Sequence, residues 1–255
     1  MEIPVREATD DEAAFFHEHG WVRLGRLIDP GAAAELRERA LAHLRARERG
    51  GRTAVDRAFG QSRDVAAADE AFGALALDPR MGRTAVRLLH GVRAVRVQVT
   101  NLLVKEAGEH GATEFHQDFP WMPMDRSAIL TVWLALADVP ADMGALRFYS
   151  GSHRHGLLGR SFTRPGDDQL SQHPWLKELE LSPPLDLAAG DATAHHALTV
   201  HGAPANRHDR PRLSFTVTYF DADALYTGLP YAQTDGLGLE VNRPFEHERF
   251  PCPRP

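Results

Sequence analysis

Hydrophobic and polar positions fall into two regimes along the chain. Over residues 1–91 apolar side chains recur at three- and four-residue spacing with charged residues between them, as in helices that bury one stripe. Residues 10–19 form the first such helix, capped by Thr9 or Asp10 and stopped by Gly20; "WVRL" (21–24) then reads as a short strand. Asp29 as N-cap and Pro30 at the first helical position open a second helix. Its stripe includes Ala34, Leu36, Ala40, Leu41 and Leu44, and it ends at Gly50-Gly51. Asp78-Pro79 starts another, running through Leu89. From residue 92 the period changes to two. "VRAVRVQVTNLLVK", "SAILTVWLALADV", "ALRFYS", "PLDLAAGDATAHH" and "RLSFTVTYF" predict strands separated by glycine and proline turns.

Helices followed by many antiparallel-looking strands predict an α+β protein whose β part closes as a sandwich or jelly roll. Within the strands the alternation is informative. Arg212, Ser214, Thr216 and Thr218 share one face of "RLSFTVTYF", and Thr131 and Trp133 share a face opposite Leu130, Val132, Leu134 and Leu136. Each strand thus offers an apolar face for helices and a mixed face for a lumen. An arginine at the start of a lumen-facing row needs an anion, and its planar fork suits a carboxylate. The polar stretch 160–184, with four prolines and Trp175, is long for a loop and is expected to act as a lid.

Composition narrows the function classes. At 255 residues, 43% hydrophobic and 25% charged, the chain is an ordinary globular length and mixture. A net charge of −6 argues against nucleic acid or an anionic membrane as the main partner. No apolar run is long enough to span a membrane, and the first residues carry no signal-like core. Cys252 is the only cysteine, which excludes an internal disulfide or a cysteine zinc site and fits a reducing cytoplasm. Lys105 and Lys177 are the only lysines against 27 arginines. That singles out Lys105, although a solvated strand end would explain it as well.

The candidate chemistry lies in "EFHQDFPW" (114–121). His116 and Asp118, two apart on a strand, face the same way, and a carboxylate among aromatics needs a positive or hydrogen-bonding partner. A metal ion supplies one. A third ligand must come from another strand, and His201, His195 and His196 are the rivals. Two imidazoles and a carboxylate on one face of an ion form the facial triad of non-haem Fe(II) oxygenases. His17, His19, His43 and His90 sit in helical segments and are expected to face solvent.

"FHQD" (115–118), "GALRFYSGSHRHG" (144–156), "GDATAHHALTVHG" (190–202), Asn206 and Arg212 together resemble the phytanoyl-CoA dioxygenase family of Fe(II)- and 2-oxoglutarate-dependent oxygenases, over roughly residues 12–221. The resemblance implies a double-stranded β-helix, a cupin-like jelly roll with the N-terminal helices packed on its major sheet. It implies one domain over 1–255: a helical part (1–91), a jelly-roll core (92–221) and a C-terminal extension (222–255). It further implies Fe(II) held by His116, Asp118 and His201, and 2-oxoglutarate anchored through its distal carboxylate by Arg212, with dioxygen as second substrate. By the same resemblance Asn101 and Lys105 are expected at cosubstrate-contacting positions, and Thr131, Trp133 and Ser214 are expected to shape that pocket. Some members carry a serine two residues after the distal histidine to help the carboxylate; here that position is Ala203.

Because Asp118 fills the carboxylate position, halogenation is disfavoured, and hydroxylation, desaturation, epimerisation or ring closure of a small molecule is expected. Trp121, Met122 and Met124 would line an apolar approach, suiting a hydrophobic or polycyclic substrate of bacterial specialised metabolism such as antibiotic biosynthesis. Gln98, out of phase with Asn101 and Lys105, reaches the same cavity only through a bulge. Two other readings stay open: a cupin-like metal enzyme that uses no 2-oxoglutarate, and a non-catalytic jelly-roll binding protein. The oligomeric state is not legible.

Overall fold

A computed structural model of the chain describes residues 3–46, 58–161 and 168–253. Helix α1 (Asp10–His19) begins as the sequence predicts. Thr9 is its N-cap, with Glu12 reaching back in a reciprocal capping box, and Gly20 ends it at φ 77°, a left-handed conformation that suits glycine. Helix α2 (Pro30–Ala46) follows, with the Asp29 carboxylate accepting from the Gly31 N–H. Its buried stripe uses Ala33, Leu36 and Ala40, while Ala34 is exposed, a correction of one position to the expected face. The expected stop at Gly50-Gly51 lies outside the described residues. Two short helices, α3 (Val65–Ala68) and α4 (Glu70–Ala76), precede α5 (Pro79–Leu88), which is capped by Asp78. Among the described residues no helix is long and apolar enough to cross a membrane.

The described strands form two antiparallel sheets. They are β1 (Trp21–Leu24), β2 (Gly60–Arg63), β3 (Val95–Lys105), β4 (Thr113–His116), β5 (Ile129–Ala135), β6 (Arg147–Phe148), β7 (Ala192–His196), β8 (His201–Ala203) and β9 (Arg212–Asp221). The larger sheet has the order β1-β7-β5-β9-β3-β2 and the smaller β4-β8-β6. This is the expected double-stranded β-helix. Strand β2 is unexpected, since its surroundings read as helical; it pairs with β3 along the edge of the larger sheet.

Burial follows the alternation read from sequence. Leu130, Val132 and Leu134 of β5 and Leu213, Phe215, Val217 and Tyr219 of β9 join Phe16, Leu36 and Phe72 of the helices in one continuous core. The opposite faces turn toward the smaller sheet, where Trp133, Phe148 and Ala203 belong to a second cluster. The C-terminal extension is packed too: Phe245 and Phe250 are fully buried against Phe220.

A shift in the β3–β9 register falls between Val97 and Val99, leaving Gln98 unmatched. Before it the odd residues Val95 and Val97 face the helices; after it the even residue Leu102 does. The bulge therefore turns Val99, Asn101 and Leu103 toward the lumen.

Candidate metal centre and cosubstrate pocket

The lumen between the sheets holds a cavity of about 410 Å³. His116, Asp118 and His201 all line it, and one potential ligand atom from each lies within 4.8 Å of the other two. The expected strand geometry needs one correction. β4 stops at His116, and Asp118 has helical backbone angles (φ −78°, ψ −37°) at the start of a 3₁₀ turn over Phe119–Trp121. The carboxylate is aimed by that turn, with the Asp118 N–H held on the Ala197 carbonyl at 3.0 Å, rather than by two-residue alternation.

Both imidazoles are oriented alike. His116 Nδ1–H donates to the Glu114 carbonyl at 2.8 Å and His201 Nδ1–H to the Thr199 carbonyl at 2.9 Å. Each bond fixes the tautomer so that Nε2 keeps its lone pair for a metal. Those Nε2 atoms lie 3.6 and 3.8 Å from Asp118 Oδ1. Burial, and then the neighbouring His195 and His116, push His201 well below the usual imidazole range, so it is neutral at physiological pH. Burial alone would raise Asp118, but His201, His116 and His195 outweigh it and hold the carboxyl well below the usual carboxylate range. Neutral imidazoles and an ionised carboxylate are the protonation states that ligation requires, and this donor set fits Fe(II).

His195, a rival for the third ligand, approaches the other carboxylate oxygen: its Nε2 is 3.4 Å from Asp118 Oδ2. Thr131 donates to the same oxygen at 3.3 Å. His196 is not in the cavity lining; its Nδ1 accepts from the Leu198 N–H. Of the four histidines expected in solvent, His17 and His90 are exposed, whereas His19 and His43 are half-buried and His43 pairs with Asp69.

Arg212 is 2% exposed and lines the cavity beside Trp133, whose ring centre lies 5.2 Å from the guanidinium carbon. One guanidinium nitrogen donates to the Gly144 carbonyl, while Arg212 Nε and Trp133 Nε1 have no partner among the described residues. Burial lowers Arg212 to about 10, so it stays charged at neutral pH. A buried guanidinium and indole with unused donors fit an anionic ligand.

The remaining expected positions divide. Asn101 and Thr131 line the cavity; Asn101 Oδ1 has no partner among the described residues. Ser214 does not reach it, because its short side chain ends against the Leu103 carbonyl at 3.5 Å. Lys105 is neither a solvated strand end nor a lining residue: it is fully buried, and its ammonium is held by the Gly111 and Pro204 carbonyls and the Thr113 hydroxyl. Trp121 and Met122 form part of the wall, while Met124 packs with Phe220 and Phe245 instead. Gln98 stands behind the wall, donating to Met122 Sδ at 2.8 Å and Tyr231 Oη at 3.4 Å.

Sequence reasoning missed Thr113, Gln61, Arg63, Tyr231 and Gln233, all of which line the cavity. Nothing local marks them; β2 and the C-terminal extension reach the site only through tertiary packing. The expected lid contributes no lining residue among its described part, and residues 162–167 lie outside the described residues. Among its described residues Arg160 touches the cavity wall, its guanidinium carbon lying 4.7 Å from the centre of the Trp121 ring.

A double-stranded β-helix with a His-Asp-His cluster and a buried arginine in its lumen defines the class, a metal-dependent jelly-roll protein. A family model described as phytanoyl-CoA dioxygenase (PhyH) matches residues 16–214, and the chain belongs to that family. Phytanoyl-CoA dioxygenase domain-containing protein 1 of Mus musculus is 28% identical over 163 residues, 60% of this chain and 54% of that protein. The chain thus spans about half the length of the curated relatives it matches. Among solved structures, the non-heme alpha ketoglutarate dependent carbocyclase SnoK from nogalamycin biosynthesis is 29% identical with a TM-score of 0.81, covering 96% of each chain. The epimerase SnoN in complex with Fe3+, alpha ketoglutarate and nogalamycin RO is 30% identical with a TM-score of 0.80, covering 96% of this chain and 98% of the other. EctD from S. alaskensis, at 19% identity and a TM-score of 0.69 over 88% and 86%, shares the fold.

Proposed function

We propose that the chain is a single Fe(II)/2-oxoglutarate-dependent oxygenase domain that oxidises a small organic molecule. The observation that carries this reading is the pairing, in one cavity, of a His-Asp-His donor set with a buried arginine that has no acidic partner among the described residues. His116, Asp118 and His201 would hold the metal, with the Glu114 and Thr199 carbonyls already turning Nε2 of each imidazole toward it. Arg212 would grip the distal carboxylate of 2-oxoglutarate, with Trp133 stacked beside it and Asn101 and Thr131 on neighbouring strands. When bound, Fe(II) and 2-oxoglutarate supply the oxidising power, consuming dioxygen and releasing succinate and carbon dioxide. Val99, Leu103 and Leu146 in the cavity wall would exclude water around these groups, and Thr131 would steady the carboxylate.

The outer wall, with Phe59, Trp121, Met122 and Tyr231, suits a largely apolar ring-bearing substrate. Likeness to a carbocyclase and an epimerase of nogalamycin biosynthesis supports a tailoring step in bacterial specialised metabolism. Arg212 argues against a cupin-like metal enzyme working without 2-oxoglutarate, since its buried charge would then be unanswered. The test is succinate release from 2-oxoglutarate by the Fe(II)-loaded chain across a panel of polycyclic candidates. Release that requires both Fe(II) and 2-oxoglutarate and accelerates with one candidate is expected; dioxygen consumption without succinate would favour the cupin-like alternative.

A further inference from the structure

Phe59, Trp121 and Met122 give the lumen an apolar wall, and one turn of the C-terminal extension adds two polar side chains to it. The turn satisfies its own backbone. The Tyr231 carbonyl accepts from the Thr234 N–H (2.8 Å), the Asp235 N–H (2.9 Å) and the Thr234 hydroxyl (3.1 Å). The Asp235 carboxylate in return accepts from the Tyr231 N–H at 3.0 Å. Gly236 follows at φ 81°, a left-handed conformation that suits glycine, and Leu237 and Leu239 then pack on the Phe245–Phe250 cluster. Tyr231 and Gln233 line the cavity, while Ala232 between them is exposed. Both side chains are therefore in place before any ligand arrives.

Their polar atoms are left over. Gln233 is 8% exposed, and its Oε1 is shut off from solvent with nothing among the described residues donating to it. A buried amide oxygen without a donor is costly, and the cavity is the side from which one can come. Tyr231 Oη accepts from Gln98 Nε2 at 3.4 Å, and its own proton has no acceptor among the described residues. Gln98 is the bulge residue of β3, 1% exposed, and also donates to Met122 Sδ, so the irregularity in the sheet holds the phenol from behind. Burial, against the opposing charge of Arg63, pushes Tyr231 up to about 12, and the hydroxyl stays protonated at physiological pH. The turn thus presents the cavity with an unused acceptor and an unused donor.

We propose that Tyr231 and Gln233 form a subsite that reads the oxygen functions of a ring-bearing substrate, the Tyr231 hydroxyl donating to a carbonyl oxygen and Gln233 Oε1 accepting from a hydroxyl. The substrate class narrows from apolar ring compounds to ring compounds that carry both functions, with Phe59, Trp121 and Met122 holding the hydrocarbon body. A wholly apolar molecule of the same shape leaves both protein groups unanswered and is rejected relative to the oxygenated one. The inference rests on the oxygenase reading above, which makes the lumen the substrate chamber. Because the subsite shares no side chain with those assigned to Fe(II) or 2-oxoglutarate, the two readings can be tested apart.

The experiment is anaerobic equilibrium dialysis of the full chain, loaded with Fe(II) and 2-oxoglutarate, against bicyclic probes of one framework: a hydroxytetralone with both functions, tetralone with the carbonyl, tetrahydronaphthol with the hydroxyl, and tetralin with neither. Wild type is expected to bind hydroxytetralone tightest and tetralin weakest, each function contributing about two- to tenfold, as for a neutral hydrogen bond. Tyr231→Phe should erase the advantage of a carbonyl and keep that of a hydroxyl, and Gln233→Met should do the reverse. Gln233→Glu retains the acceptor and should keep the preference for a hydroxyl. Calorimetric 2-oxoglutarate affinity should be unchanged in all three variants, which shows the lumen to be intact; the wild-type probe series stands whether or not a variant folds. Equal binding of the probes by wild type, or a variant that loses affinity for all of them alike, would overturn the subsite and leave the oxygenase reading standing. A wild-type chain that discriminates the probes yet binds no 2-oxoglutarate would sink the oxygenase reading instead.

Discussion

His195 Nε2 stands 3.4 Å from Asp118 Oδ2, while Oδ1 of the same carboxylate faces the Nε2 atoms of His116 and His201. The two oxygens are thus divided between separate tasks, with Thr131 sharing the Oδ2 side. Partners that orient a ligating group typically change metal affinity by about 10- to 100-fold when removed. His195→Phe, close in volume and unable to hydrogen-bond, should therefore weaken Fe(II) binding by about tenfold without abolishing it. Equilibrium dialysis of the metal checks this; unchanged affinity would leave His195 as packing alone.

Arg212 offers charge-assisted bonds to the cosubstrate, each contributing about 1.5–3 kcal/mol. Arg212→Ala should raise the 2-oxoglutarate concentration for half-maximal succinate release by at least about tenfold, with Fe(II) affinity little altered. The readout is the 2-oxoglutarate dependence of succinate formation, and an unchanged requirement would remove Arg212 from this role.

A pH dependence follows from the neighbouring lysine. Burial first, and the Arg212 charge second, lower Lys105 to about 7. A bound carboxylate favours the ammonium and raises that value again, so binding above pH 7 takes up a proton. The sign is therefore a loss of 2-oxoglutarate affinity as pH rises above about 7, by at most about tenfold per pH unit. Calorimetry at alkaline pH in buffers of different ionisation enthalpy should register the uptake, and Lys105→Met should abolish it. Affinity that is flat or rising with pH would contradict this.

The C-terminal extension is expected to fold with the jelly roll as one unit. Phe245 is fully buried among Phe220, Tyr226 and Phe250, with ring centres 5.1–5.7 Å away. Phe245→Ala should cost about 3–5 kcal/mol, read by denaturant unfolding as a single shifted transition. A small shift, or a separate early transition, would show the extension to be independent.

Much of this was legible in the sequence because it rests on local rules. Thr9, Asp29 and Asp78 mark helix starts through their side-chain oxygens, and the alternation of β5 and β9 separates helix-facing from lumen-facing residues. Asp118 was placed near His116 for a reason the structure revises: a 3₁₀ turn, not strand alternation, aims it. What the sequence left hidden is tertiary. Strand β2 has no apolar alternation, since "GQSR" earns its place by pairing with β3. Tyr231 and Gln233 reach the cavity because the extension folds back onto it. The burial of Lys105 depends on carbonyls of Gly111 and Pro204, contributed by two separate loops.

The sharpest measurement is anaerobic Fe(II) equilibrium dialysis of the wild-type chain beside His116→Ala, Asp118→Ala and His201→Ala. One tightly held ion per wild-type chain, and collapse of that binding in all three folded variants, is the expected result. Wild-type affinity in any one of the three would show that these side chains do not together hold the metal.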